Sequence, residues 1–310
     1  MTHTTSPDDA AFAAATTRLL ERSSELISCS DSEVGLARLF CSPAMAKAHQ
    51  KLTGWMTDAG MSTQVDAAGN LIGRLPAEPT DTRSLLIGSH LDTVVNAGQF
   101  DGTLGVLMGL AVAELCHRYE LRLPFSLDVL GFSEEEGIRY QTPYIGSRAI
   151  TGDLTSGDPL LERLDDHGVR LADALGQFGC DASQFAQAVY DPESVIAFIE
   201  PHIEQGPVLE ERGLPVGVVT GVAGQTRASF RFVGETGHAG TVPMKLRRDP
   251  LPAAAKFATQ VEEIALACEG TLATVGRLEV TPNVANVIPE EVAVRLDLRH
   301  LDDDKREASF

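Results

Sequence analysis

The sequence predicts an α/β protein: a mostly parallel sheet with helices on both faces, followed by a smaller α+β segment. Three observations lead there. Apolar runs that end in polar residues, SLLIGSHLDT (84–93), SLDVLGFSEEEG (126–137) and SVIAFIEPHIEQG (194–206), alternate with helical periodicity, as strands buried on both faces do. The pattern changes after Gly213 into alternating, half-buried strands around one helix. A hydrophobic content of 43% with 22% charged residues is that of a globular chain, and 310 residues suffice for about two domains.

The elements follow in order. Apolar residues recur at helical spacing from Ala10 to Ile27. Ser42 before Pro43 starts a helix that runs to Ala59 and is ended by Gly60. Two short strands, 61–66 and 70–75, flank the turn AAGN (67–70). The run 84–93 is a strand, and Asp101-Gly102 opens a helix over 103–118. Two further buried strands lie in 126–137 and 194–206, and the Asp-, Gly- and Leu-rich stretch 151–190 between them reads as surface helices and loops. In the second segment LPVGVVTGV (214–222) and TRASFRFVG (226–234) alternate as strands, and 250–270 is an amphipathic helix. TLATVGRLEV (271–280) and EEVAVRLDLRH (290–300) are two more strands, and the last ten residues begin as a helix with acids in its first turn. The expected segments are 1–212 and 213–310.

Charge and composition exclude several classes. Twenty-five Lys and Arg against 44 Asp and Glu leave a net charge of −19, a field that repels a phosphate backbone, so no nucleic acid is expected as a partner. No apolar run approaches the roughly 18 residues of a membrane span, and the N-terminus shows neither a basic nor an apolar signal region. Cys29, Cys41, Cys116, Cys180 and Cys268 are scattered without a CxxC pair, which fits buried thiols in a cytoplasmic protein.

The three strand ends carry the chemistry. His90, the run Glu134–Glu136, and His202 each follow an apolar strand, and Asp101 stands at the start of the next helix. In open parallel sheets, ligands bind beyond the carboxyl ends of the strands. Imidazole and carboxylate without thiolate suit Zn²⁺, Mn²⁺ or Co²⁺, and one carboxylate can bridge two such ions. Taken singly, each has a plainer role: a satisfied polar residue at His90, a helix N-cap at Asp101, a solvated loop at Glu134–Glu136. His3, His49, His117, His167 and His300 have no such context and read as surface or core residues.

With GSHLDTVVNAGQFDGTLGV, SEEEGIRY, EPHIEQGPVLE, GETGHAGTVPMKLRRDP and GRLEVTPNVANVIP in this order, the chain resembles the M20 metallohydrolases over residues 10–300. More narrowly it resembles their amidase, hydantoinase and carbamoylase branch, which holds allantoate amidohydrolase, N-carbamoyl-L-amino-acid hydrolase and β-ureidopropionase. The resemblance implies a catalytic domain of the metallopeptidase type and a lid and dimerisation domain, hence a homodimer. It implies two divalent ions per subunit, with His90, Asp101 and His202 on the first, and Asp101 and Glu136 on the second. Asp92 would orient His90, and Glu135 would be the general base. His238 would stabilise the oxyanion, and Gln205, Asn286 and Arg299 would contact a carboxylate-bearing ureido substrate. The implied reaction is hydrolysis of a linear C–N bond; the alternatives are an aminoacylase or dipeptidase of the same group, or a metal-binding, dimerising remnant without turnover. Members of the group carry, after the lid, a GAGHD-like motif whose histidine completes the second metal site. Such a motif is not found here, so that site is expected to be weakened, whether the chain is a fragment, a truncated product or one completed by a partner.

Overall fold

Caps set the first helices. Asp8 accepts the Ala11 N–H at 2.8 Å and opens α1 (Asp9–Ile27). Ser42 accepts from Met45 N, with Pro43 where its missing N–H is harmless, and opens α2 (Pro43–Asp58). The structure, a computed structural model, describes residues 6–77 and 83–310; His3 lies outside them. The chain divides into one unit ending at Gly206 and a second from Pro207 to Phe310, a boundary ahead of the expected 212/213.

The first unit is built on a five-stranded sheet. β1 (Ser62–Val65) and β2 (Leu71–Leu75) form a hairpin around the AAGN turn, and β3 (Ser84–His90), α3 (Thr103–Arg118), β4 (Ser126–Phe132) and β5 (Val195–Ile199) follow. The order is β1-β2-β4-β3-β5; β3 runs parallel to β4 and β5, and only β2 points the other way. This is the mostly parallel sheet that the apolar runs predict. Alternate residues of each strand serve opposite faces. Ile87 and Val129 meet Leu26, Met45, Leu52, Met56, Leu107 and Leu110 of α1, α2 and α3. Leu86 and Leu130 meet Ile72 and, from α4 (Ile145–Thr151), Ile150. His90 pairs in register with Phe132, so the polar ends of β3 and β4 lie level.

Two expectations for this unit change. The stretch 151–190 is not merely surface. With α5 (Leu171–Phe178) and α6 (Phe185–Ala188) it builds a second core, in which Leu154, Leu161, Leu171, Leu175 and Phe185 bury against Phe40 and Tyr140. Its leucines are spaced by short turns rather than along one helix, so the periodic signal of burial is lost. β5 forms where expected but is not a buried strand: Ile196, Phe198 and Ile199 are 43%, 44% and 48% exposed. Its backbone pairs with β3 alone among the described strands, which leaves it at the sheet edge.

The second unit begins with α7 (Val208–Glu211). The segment 214–222, expected as a strand, is not one; Val216, Val218, Val219 and Val222 are 77–92% exposed. A strand needs partners for its N–H and C=O groups, and among the described residues none pairs with it. β6 (Gly224–Val233), β7 (Gly237–His238), α8 (Leu251–Ala267), β8 (Leu272–Thr281), β9 (Val287–Ile288), β10 (Glu291–His300) and α9 (Asp303–Ser309) follow. The antiparallel order is β6-β10-β8, with β7 and β9 as a separate small pair. Val292, Val294, Leu296 and Leu298 of β10 alternate onto Ala254 and Val261 of α8. The five cysteines are free thiols, and no helix among the described residues is long and apolar enough to cross a membrane.

Candidate metal centre

The carboxyl end of the first sheet gathers the expected residues. His90, the last residue of β3, is buried; Asp101 precedes the α3 N-terminus; His202 follows β5 after Glu200-Pro201. Ligand atoms of His90, Asp101 and His202 lie within 4.8 Å of one another, as do those of His90, Glu135 and Glu136. His90 belongs to both groups.

Hydrogen bonding distinguishes the ring nitrogens. Nδ1 of His90 lies 2.8 Å from the Asp92 carbonyl oxygen, and Nδ1 of His202 lies 2.8 Å from that of Ile203. A carbonyl oxygen only accepts, so both Nδ1 atoms donate, which leaves each Nε2 as the ring nitrogen that a metal ion can take. Those two Nε2 atoms face each other at 3.5 Å, with Asp101 Oδ1 at 3.8 Å from the first and 3.3 Å from the second. Two imidazole nitrogens and a carboxylate oxygen converging at these distances are the donor set of a divalent ion, so the residues present fit a metal ion of the N/O-binding kind. Gln205 Nε2 donates to both Asp101 oxygens, at 2.9 and 2.8 Å, and so stands beside this carboxylate.

Glu135 and Glu136 are brought in by Asp92. The Asp92 carboxylate is 3.8 Å from His90 Nδ1, and its hydrogen bonds go to Glu135 N at 3.0 Å and Glu136 N at 2.9 Å. The Asp92 backbone carbonyl is thus the hydrogen-bond partner of His90, while its side chain ties the β4 loop to β3. Glu135 Oε2 comes within 3.9 Å of His90 Nε2, and Glu136 belongs to the same group, so distance does not divide their roles. Burial raises the pKa of Glu135, Glu136 and Asp92. At His90 burial opposes the charged form, but the carboxylates, Asp92 before Glu135, outweigh it and raise the pKa.

Glu134 is not a solvated loop residue. It is 1% exposed at a φ of +46°, and its Oε1 accepts from Arg139 N and Tyr140 N at 3.1 and 3.2 Å. Burial, with the charge of Asp92, pushes its carboxyl up to about 8.

Other polar residues at this end gave less warning in the sequence. Ser89 Oγ donates to Glu200 at 2.7 Å and so joins the ends of β3 and β5. Glu200 stands two residues before His202, where the same strand-end signal covered it. Asn70 is fully buried; its Oδ1 accepts from Ser133 N and its Nδ2 donates to Asp66 and to Gly146 O. It sits in the AAGN turn, and its partners are distant in sequence.

The remaining expected residues belong to the second unit. His238 pairs in register with Val287, beside Asn286, whose carbonyl oxygen accepts from Ala239 N at 3.0 Å. Its Nδ1 accepts from Gly240 N at 3.0 Å. Arg299 lies on the sheet face opposite α8, with Nε donating to Asp297 Oδ1 at 2.7 Å.

Comparison with known proteins supplies the family. The family model described as peptidase family M28 matches residues 70–158, from Asn70 through the Glu134–Glu136 run and α4. The chain is 45% identical to N-carbamoyl-L-amino acid amidohydrolase of Geobacillus stearothermophilus, over 86% of this chain and 65% of that protein. It is 40% identical to allantoate deiminase of Arabidopsis thaliana, over 92% of this chain and 58% of that one. It thus spans less than two thirds of the length of these curated relatives. Among solved structures, a hydantoinase/carbamoylase family amidase from Burkholderia ambifaria aligns with a TM-score of 0.81 at 34% identity, over 94% of this chain and 71% of that one. With that identity across most of both chains, the protein belongs to the hydantoinase/carbamoylase family of amidases.

Proposed function

We propose that this protein is a metal-dependent hydrolase of linear C–N bonds in carboxylate-bearing ureido or carbamoyl compounds. The convergence of the His90 and His202 Nε2 atoms on Asp101 supports this most. His90, Asp101 and His202 would hold one ion, and Asp101 with Glu136 part of a second, as Zn²⁺, Mn²⁺ or Co²⁺. When bound, such ions supply a water of near-neutral pKa and polarise a carbonyl oxygen.

This chain's own residues would do the rest. Glu135 takes a proton from the attacking water and returns it to the leaving nitrogen. His238 donates to the carbonyl oxygen as charge develops there, and Gln205 and Asn286 hold the substrate. Arg299 binds the substrate carboxylate in a two-bond fork, exchanging Asp297 for it. Relatives named for allantoate and for N-carbamoyl-L-amino acids both point to such substrates. The five free thiols support a cytoplasmic setting.

The test is ammonia release by the purified chain, supplied with Mn²⁺ or Zn²⁺, from N-carbamoyl amino acids and from allantoate. Turnover that chelation abolishes is the expected result. One bound ion or none, without cleavage of either substrate, would favour a remnant, and cleavage of dipeptides or N-acyl amino acids alone would favour the aminoacylase reading. We further propose a homodimer through the second unit, with His238 serving the partner's site. Chains carrying His238→Ala mixed with chains carrying Glu135→Gln should then regain part of the activity that each lacks. If mixed dimers form and no activity returns, His238 does not act across subunits.

A further inference from the structure

Arg38 carries a positive charge into the interior of the first unit. It is 0% exposed; its guanidinium has no hydrogen bond to a carboxylate among the described residues, although against burial the charges of Asp92 and Asp31 favour its charged form. Its donors go instead to three separate segments. Nε donates to Leu91 O at 2.6 Å, Nη2 to Thr103 Oγ1 at 3.1 Å, and Nη1 to Leu26 O at 3.3 Å. The backbone adds a second link, with Arg38 N donating to Thr93 Oγ1 at 2.9 Å and Thr93 N to Arg38 O at 3.0 Å.

The places of those acceptors matter. Leu91 stands between His90 and Asp92. Thr103 is the first residue of α3, two after Asp101. Leu26 lies in the last turn of α1, where carbonyl oxygens carry the negative end of the helix dipole. One planar group therefore bridges the segment that carries His90 and the segment that carries Asp101, and anchors both to α1. The N-terminus of α3 has no side-chain cap of its own, since Gly102 occupies that place. For stability alone, an apolar side chain of similar volume would serve as well or better than a buried cation with no carboxylate hydrogen-bonded to it. What the guanidinium adds is a rigid fork whose N–H directions are fixed relative to one another, which a lysine does not reproduce.

We infer that Arg38 is a positioning residue that sets the spacing of His90 and Asp101, by clamping Leu91 to Thr103 behind the candidate metal centre. This rests on the metal-binding reading of that centre. Groups that orient metal ligands from behind typically contribute 10–100-fold to metal affinity.

The probe is Co²⁺, titrated into the whole chain and followed by its visible absorption. Arg38→Met, Arg38→Lys and Thr103→Val are compared with the unchanged protein and with Leu175→Ala, a core variant in the separate cluster around Phe40 and Tyr140. Arg38→Met and Arg38→Lys should each bind Co²⁺ at least about tenfold more weakly, with a displaced absorption band. Thr103→Val, which removes one acceptor, should lose about three- to tenfold. Leu175→Ala should lower the unfolding midpoint and keep the wild-type affinity and spectrum. Should Arg38→Met not fold, Arg38→Lys and Thr103→Val carry the test. Co²⁺ affinity within threefold of wild type and an unchanged band in those two would overturn the inference. If the wild type itself binds no Co²⁺, the metal reading fails, and the ¹⁵N NMR of the His90 ring in metal-free protein decides about Arg38. One Nδ1–H tautomer in the wild type and a mixture in Arg38→Lys and Thr103→Val supports the clamp; identical spectra refute it.

Discussion

Gly102 lies against the imidazole of His90: a Cβ at this position would stand 2.5 Å from Cδ2, Cε1 and Cγ of the ring. Its φ of +64° is also one that residues with a Cβ rarely adopt. Gly102→Ala should therefore displace the His90 ring and strain the backbone together. We expect at least a tenfold loss of Zn²⁺ affinity by equilibrium dialysis, and a stability loss of about 1–2 kcal/mol in urea. Unchanged Zn²⁺ affinity would show that the ring has room to move.

Glu135 and Glu136 each bring a carboxylate oxygen within 4.8 Å of a His90 ring nitrogen, so mutation has to separate their roles. Glu135→Gln should keep metal binding and abolish turnover, as expected of a proton carrier. Glu136→Gln should lower metal content, measured per chain by elemental analysis. Equal metal loss in both variants would mean that the two roles are wrongly divided.

Glu134 should behave differently from its neighbours. A glutamine keeps an oxygen that can accept from Arg139 N and Tyr140 N, so Glu134→Gln should change stability by less than about 1 kcal/mol. Glu134→Ala leaves two buried N–H groups without an acceptor and should cost about 2–4 kcal/mol. Chemical unfolding of both variants at pH 7 gives the comparison; equal stabilities would mean that water replaces the lost carboxyl.

His49 should make the fold sensitive to acid. It is buried in α2, its ring nitrogens have no hydrogen-bond partner among the described residues, its ring makes a T-shaped contact with Phe178, and burial lowers its pKa from 6.5 to about 4. Between those two values the unfolded chain binds more protons than the folded one, so stability rises with pH. The contribution of the neutral ring is complete above about pH 6.5 and is lost as the pH falls toward 4, on the order of 3 kcal/mol in all. His49→Leu removes this dependence. From pH 7 to pH 5, wild type should lose about 2 kcal/mol more than His49→Leu in urea unfolding. Parallel losses would show that the ring protonates freely in the folded state.

Much of the first unit was legible in the sequence because its signals are local. Ser42 with Pro43, and the periodicities of 103–118 and 250–270, mark helices through contacts within a few residues. The apolar runs before His90, Glu134 and His202 marked strands and placed those side chains at strand ends. Because β3, β4 and β5 run parallel, their ends come to one side of the sheet, and His90, Asp101 and His202 meet there.

What the sequence by itself determined, then, is which segments carry helical or strand periodicity and which polar groups end them. Only the tertiary structure decided which neighbours cover them. It left the apolar β5 at an edge, gave 214–222 no partner strand, and folded 151–190 around Phe40 and Tyr140. It also turned Asp92 toward the Glu135 and Glu136 backbone, closed Glu134 over Arg139 N and Tyr140 N, and ran the Arg38 fork between Leu91 and Thr103. Helix periodicity and capping act over three or four residues, so a sequence displays them directly. Burial and hydrogen-bond satisfaction depend on groups such as Arg38 and Thr103, 65 residues apart, which the chain brings together only by folding.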